Sequence, residues 1–452
     1  MEFFEKFIQS LASIVWGPQT AVLLLGVGLF LSLKLKFVQI RKLGLSFRFA
    51  FGSRSLGESS QSEKTGDISP FQAMTTSLAG VIGNGNIAGV CTAIAMGGPG
   101  AVFWMWLSAF LGMATKLAEA VLGQTFKRVM PDRSTAGGPM YYIKDGLKLP
   151  WLAAAYAFFM GCKPLFSTST VQSNSIALAL KTQLNLAPWI SGLGLAFLTW
   201  LVIIKGIKVI ARVTEFLSPL MVILYILGAA VTIIIFYRQI PHAFSLIFTG
   251  AFKPSSIAGG IAGITVLRAM RYGLSRGSYS NEAGTGTAGV YHATARTSEP
   301  VRQGFIASLD VFIDTIVICT LTALTVLVSG VWTEGTSTGM TAAAFNASLP
   351  TAGGLIVAAS SLLFGYSSLI AVTYYGEIAF SYLWGIKIKL PYRWVFCIII
   401  FIGALLKVEV AWSIGDLFNG LMAISNLIGV LGLSGLLISA VRKYLKTYGG
   451  QI

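Results

Sequence analysis

Three stretches place glycine or polar side chains inside apolar sequence, a combination that can bind a small ligand or an ion without burying a full charge. SLAGVIGNGNIAGV (77–90) sets Gly80, Gly83, Gly85 and Gly89 around two amides, Asn84 and Asn86. Glycine lets the backbone open and approach a ligand closely. An amide at membrane depth is expensive unless it lines a cavity or a site. AGGIAGITVLRAM (258–270) is a second apolar segment interrupted by glycine. FSTSTVQSNSIA (166–177) is too polar to face lipid, and its Thr168 and Gln172, four residues apart, share one helix face. Such residues also suit hydrogen bonding between helices.

Other chemistries are poorly supplied. His242 and His292 are isolated, with no suitable acidic neighbour in sequence, so neither suggests catalysis or a metal. Cys91, Cys162, Cys319 and Cys397 fall in apolar runs without CxxC spacing, which argues against a disulfide framework or structural zinc. GNGNIAG has the wrong spacing for a dinucleotide fingerprint and no preceding strand. Lys116, Glu119, Asp310, Asp314 and Glu377 are intramembrane ionisable groups that read as gates or structural pairs.

The elements that must position these residues follow from composition. Of 452 residues, 55% are hydrophobic and 11% charged, against roughly 25% charged in a soluble domain. Mean hydropathy is +0.74. The chain therefore reads as an all-α polytopic membrane protein, and runs of about 20 apolar residues give eleven transmembrane helices. They lie near 16–38, 70–96, 99–123, 150–180, 187–205, 213–237, 256–276, 303–331, 352–384, 392–407 and 411–440.

Assigning the basic residues alternately puts 26 of the 33 Lys and Arg on one side, including Arg268, Arg271, Arg276, Arg296 and Arg302. Positive charge stays cytoplasmic, so the N-terminus is expected outside and the C-terminus in the cytoplasm. The net charge of +16 is then a topology signal rather than a sign of nucleic acid binding. The first apolar run continues for a full span without a small-residue cleavage site, and reads as a retained helix.

The two glycine-interrupted segments stand five spans apart with opposite expected orientation. Paired interrupted segments point to an inverted-repeat transporter with a midplane site. The organisation is one plus five plus five: 1–65, an N-terminal helix and basic loop; 66–240, a first repeat of five helices; 241–452, a second repeat of five helices and a short tail.

GGPGAVFWMWLSAFLG (97–112) closely resembles the signature of the alanine or glycine:cation symporter family, the sodium:alanine symporter group. GDISPFQAMTTSLAGVIGNGNIAGV (66–90) and SRGSYSNEAGTGTA (275–288) are similar to that family's other well-marked stretches. The resemblance implies a LeuT-type five-plus-five fold with two broken helices. It further implies a symporter, not an enzyme, in the plasma membrane of a prokaryotic cell, functional as a monomer, importing alanine or glycine with Na⁺ as coupling ion.

A zwitterionic amino acid needs an electropositive place for its carboxylate and an electronegative one for its ammonium, and the ends of half-helices supply both. By resemblance, Gly83 opens the break at the substrate, the amides of Asn84 and Gly85 face the carboxylate, Gly263 and Ile264 offer carbonyls to the ammonium with Thr265 beside them, and Thr168 and Gln172 line the site. FGYSSL (364–369) resembles the fold's paired-hydroxyl element, so Ser367, Ser368 and the Phe364 carbonyl, with the carbonyls of Ala79 and Ile82, are the implied sodium ligands. Serines also bond back to their own helix. Proton coupling is the alternative, disfavoured because no carboxylate sits in either interrupted segment. A channel would want a continuous polar path, which is not evident.

Overall fold

A computed structural model describes residues 2–52, 65–252, 266–333, 335, 337–350, 352–406 and 409–448. The described chain is helical almost throughout, as lipid demands: no water is present there to satisfy exposed backbone N–H and C=O groups. The departure from all-α is one two-residue antiparallel pair, Arg128–Val129 with Thr135–Ala136.

Seven described helices are long and apolar enough to cross a membrane: Lys6–Lys34, Ala101–Thr125, Ile207–Ile235, Pro300–Val328, Ala352–Trp384, Ile386–Leu405 and Ala411–Gly432. Pro70–Val81 with Gly85–Gly97, bent by 50°, makes an eighth. Pro188–Ile203 is apolar but shorter. The span expected at 150–180 is a continuous helical run, Pro150–Lys163, Pro164–Thr168 and Ser169–Leu184, whose lysine and Ser/Thr-rich middle lower its hydropathy.

The bend in the eighth span is built locally. Ser69 and Gln72 form a reciprocal capping box, with both bonds at 3.1 Å, that starts Pro70–Val81. The helix stops at Ile82, whose ψ of 100° is extended, and resumes at Asn84 with a wide π-turn over Gly85–Gly89. Two further π-turns, Pro164–Thr168 and Phe312–Cys319, lie in neighbouring helices. Pro164 lacks an N–H and crowds the preceding turn, so a widened turn absorbs it.

The sequence puts the second interruption at 258–270. Gly263, Ile264 and Thr265 fall outside the described residues. Within them, helix Val266–Asn281 is followed by a break and then by helix Thr287–Ala293. Glu282, Gly284 and Gly286 adopt left-handed backbone, with φ of 54°, 91° and 88°, which stops the helix.

The two broken helices run side by side in opposite directions. Ile68, before the first, bridges to Ala295, after the second. At the far end, a Cβ on Gly97 would sit 3.1 Å from Tyr272 and 3.3 Å from Ala269. Arg268 and Arg271 are therefore at the opposite end of the bundle from Arg296, and Arg276 is buried inside. This corrects the charge partition: three arginines leave the basic side, reducing its 26 to 23 without reversing the asymmetry.

Candidate functional site

The two breaks meet at a tight cavity, with about 10 Å³ of free space, lined by Gly80, Val81, Gly85, Lys163, Thr168, Gln172, Tyr279, Glu282 and Ser368. Each break leaves backbone donors and acceptors without helical partners, and side chains from other helices take them up.

At the first break, Gln172 Oε1 accepts the Asn84 backbone N–H at 3.0 Å and its side-chain Nδ2 at 2.9 Å. Asn86 Oδ1 accepts the Gly83 N–H at 3.0 Å. Ser368 Oγ donates to the Gly80 carbonyl at 3.1 Å. A Cβ on Gly83 would lie 2.5 Å from Gln172 Nε2 and 3.1 Å from Ser368 Oγ, so glycine is what admits both side chains.

Of the residues expected at the site, Gly85, Thr168, Gln172 and Ser368 line the cavity and Gly83 adjoins it. Ser367 points elsewhere: its hydroxyl donates back to the Phe364 carbonyl at 3.0 Å and to Met221 Sδ at 3.2 Å. Gly80 and Val81, rather than Ala79 and Ile82, form the cavity wall.

The second break is clamped by the long helix Ala101–Thr125. Lys116 Nζ donates to the Asn281 carbonyl at 2.8 Å, and Glu119 Oε1 accepts the Gly284 N–H at 2.8 Å and Asn426 Nδ2 at 2.9 Å. A cation thus caps the C-terminal end of one half-helix and an anion the N-terminal end of the next, each the favourable partner of that dipole end. Tyr156 OH donates to the Thr285 carbonyl at 2.7 Å.

The carboxylates are better placed than the sequence suggests. Asp314, in the π-turn Phe312–Cys319, accepts Asn86 Nδ2 at 2.7 Å and also Ser280 and Thr315. A carboxylate from another helix therefore reaches the first break, although none sits in the segments that the sequence marks as interrupted. His292 is not isolated: it bonds Asp310 Oδ2 at 3.0 Å and Gln303 at 2.7 Å, and Ser77 donates to the same Asp310 oxygen. Glu377 pairs with Arg393 through two bonds, at 2.6 and 2.9 Å.

Among the cavity residues that sequence reasoning missed, Val81 and Tyr279 included, Lys163 and Glu282 form a buried ion pair. Lysine in the middle of an apolar run was the available signal for Lys163. Glu282 lies in a motif that reads as a loop, and nothing local shows its partner 119 positions away.

Side-chain layers flank the cavity at both ends. One turn before Tyr279, Arg276 holds Asp416 through bonds of 3.1 and 2.9 Å and lies 4.9 Å over the Trp412 ring. Toward the other end, Tyr291 packs against Tyr374 and Tyr375. Beyond them Tyr374 OH donates to the Thr135 carbonyl, and Asp67 accepts the Thr135 N–H at 2.7 Å. In that outlying loop Lys389 bonds Asp132 at 2.7 Å. Burial opposes ionisation of Asp132, but the bonds from Lys389 and Ser134 hold its carboxyl down at about 2.

Comparison with known proteins agrees with this geometry. The chain is 42% identical over 452 residues to the sodium/alanine symporter AgcS of Methanococcus maripaludis, covering 98% of this chain and 97% of that one. It is 35% identical to the amino-acid carrier protein AlsT of Bacillus subtilis, covering 98% and 93%. Among solved structures, MhsT in complex with L-phenylalanine superposes with a TM-score of 0.50 at 13% identity, over 83% of this chain and 99% of that one, and so shares the LeuT-type fold. The profile of the sodium:alanine symporter family matches residues 1–450, and the chain belongs to that family of multi-pass membrane transporters.

Proposed function

We propose that the protein is a sodium-coupled symporter that imports small neutral amino acids, alanine and glycine foremost, by alternating access. The observation that carries this reading is the meeting of two oppositely directed broken helices with Gln172 and Ser368 at one buried cavity. Freed amides at Gly83, Asn84 and Gly85 suit a carboxylate, and Gln172 Oε1, now on the Asn84 N–H, stands where a carboxylate oxygen would bond. Gly263, Ile264 and Thr265, outside the described residues, stay in the proposed site as small residues that would leave room for little beyond a methyl group. The reading includes eleven spans in a one-plus-five-plus-five arrangement and a functional monomer.

One inward Na⁺ gains about 2.3 kcal/mol per 100 mV, and a tenfold gradient adds about 1.4 kcal/mol. Together these support substantial accumulation. The test is uptake of radiolabelled alanine into proteoliposomes with and without a sodium gradient, with competing amino acids. Glycine and alanine are expected to compete best, serine less, leucine and phenylalanine hardly at all. Uptake indifferent to sodium would refute the coupling.

For the ion, oxygen ligands come from Ser368, Ser367, the carbonyl of Phe364, and those of Ala79 and Ile82. Ser368 already crosses to the first break, whereas Ser367 would have to release its bond to Phe364. Ser368→Ala should raise the sodium half-saturation roughly tenfold, the loss of about 1.5 kcal/mol for one bond to a charged partner. Ser367→Ala should do less. An unchanged sodium half-saturation in both would end the assignment.

Proton coupling is a second reading, favoured by the Asp314–Asn86 bond at the first break. It predicts that an imposed pH gradient alone, acid outside, drives alanine uptake.

Orientation follows from the remaining charge asymmetry, with the N-terminus outside and the C-terminus cytoplasmic. A cysteine at Ser134 should resist an impermeant thiol reagent added to intact cells, and one at Ser337 should react. The reverse labelling would invert the topology.

A further inference from the structure

The ion pair on the cavity wall has an unused half. Glu282 Oε1 takes Lys163 Nζ, whose other bond goes to Asn419 Oδ1 at 3.0 Å and which lies 5.7 Å over the Tyr279 ring. Glu282 Oε2 meets no donor, although the residue is only 3% exposed and lines the cavity. A buried carboxylate oxygen without a partner is costly, so the cavity is short of one donor at this point.

We propose that Glu282 anchors the α-ammonium of the substrate, with Lys163 as the resident counter-cation that holds Oε1 and leaves Oε2 for the ligand. The proposal rests on the reading of the cavity as an amino acid site. Glu282 is the first residue of the second break, held in left-handed backbone at φ 54°. Gly85 of the first break lines the same cavity, and its neighbouring amides suit a carboxylate. A zwitterion lying between the breaks meets opposite charge at both ends.

The pair also sets which net charge is accepted. Glu282 alone would make the cavity negative and favour a cationic ligand. Lys163 brings the wall to neutrality, so the best addition is a neutral zwitterion, and a basic amino acid would set a second cation beside Lys163. Placing both partners within a few ångströms of the ligand makes this a matter of specificity as well as affinity.

The competing role is a tie: an ion pair that fastens helix Pro150–Lys163 to the second break and touches no ligand. The two roles separate when both charges are removed together, because a tie tolerates neutral replacement of the whole pair. Radiolabelled alanine uptake into sodium-gradient proteoliposomes is measured for the parent, Glu282→Gln, Glu282→Asp and the double variant Lys163→Met with Glu282→Gln, with alanine and propionate as competitors. Propionate is alanine without its amine.

Glu282→Gln is expected to raise the alanine half-saturation at least about 30-fold, the lower end for truncating a buried charge pair. The double variant should run as a monodisperse protein yet stay as weak, with its preference for alanine over propionate narrowed by a similar factor. Glu282→Asp should keep that preference. A double variant with the parent's half-saturation and preference would make the pair a tie and overturn the anchor, leaving the cavity reading intact. A parent that accumulates no small amino acid would remove the cavity reading and the anchor with it.

Discussion

Gly83→Val is expected to abolish sodium-driven alanine uptake, a loss of at least about 100-fold, while the protein still inserts and purifies as a single species. A Cβ there lies 2.5 Å from Gln172 Nε2 and 3.1 Å from Ser368 Oγ, closer than side-chain contacts tolerate. Both atoms are at or near the ends of side chains that can swing, so the fold survives. What does not survive is the pair of bonds from Asn84 to Gln172 Oε1, at 3.0 and 2.9 Å, which organises the amides of the first break. Leaving those donors buried without partners costs about 1 to 3 kcal/mol each. The two branches of valine also occupy space between the break and Gln172. Uptake at the parent's rate and half-saturation in Gly83→Val would separate the first break from substrate binding.

The first break could be found in the sequence because its polar residues stand out. Asn84 and Asn86 in an apolar run have no inexpensive alternative to lining a site, and the structure gives both buried partners at Gln172, Ser361 and Asp314. The second was sought in AGGIAGI because it looks like the first, an apolar run opened by glycine. The break among the described residues, Glu282–Gly286, carries its signal differently. Its preceding half-helix holds Arg268, Arg271 and Arg276, which lower hydropathy so far that Val266–Asn281 reads as the end of a span and a basic loop. Arg276 is nevertheless buried, since Asp416 and the Trp412 ring receive it. Pairings of this kind join positions more than a hundred residues apart, as with Lys163 and Glu282, and local sequence cannot reveal them. The same limit hid Asn86 as a partner of Asp314, whereas Asp310 and Gln303 stand only 18 and 11 positions from His292 and are brought to it by the turn between two helices.

Glu119→Ala should be the most damaging single change away from the cavity. Glu119 and Lys116 are fully buried, three residues apart on one face of Ala101–Thr125, and together they hold the two half-helix ends that face each other across the second break. Truncating Glu119 strips the Gly284 N–H and Asn426 Nδ2 of an acceptor and leaves the Lys116 ammonium with one nearby carboxylate fewer. Removing one member of a buried, hydrogen-bonded charge set costs about 3 to 5 kcal/mol. For a chain of this size that corresponds to a fall of roughly 3 to 5 °C in the midpoint of thermal aggregation of the detergent-solubilised protein. Glu119→Gln separates the two parts of the effect. It keeps an oxygen for the Gly284 N–H while discarding the charge, so a small loss in Glu119→Gln beside a large one in Glu119→Ala would identify the hydrogen bond as the dominant contribution. Equal, large losses would assign it to the charge opposite Lys116. A midpoint unchanged in Glu119→Ala would mean that the second break holds its shape without this clamp, and that the left-handed backbone at Glu282, Gly284 and Gly286 is sufficient by itself.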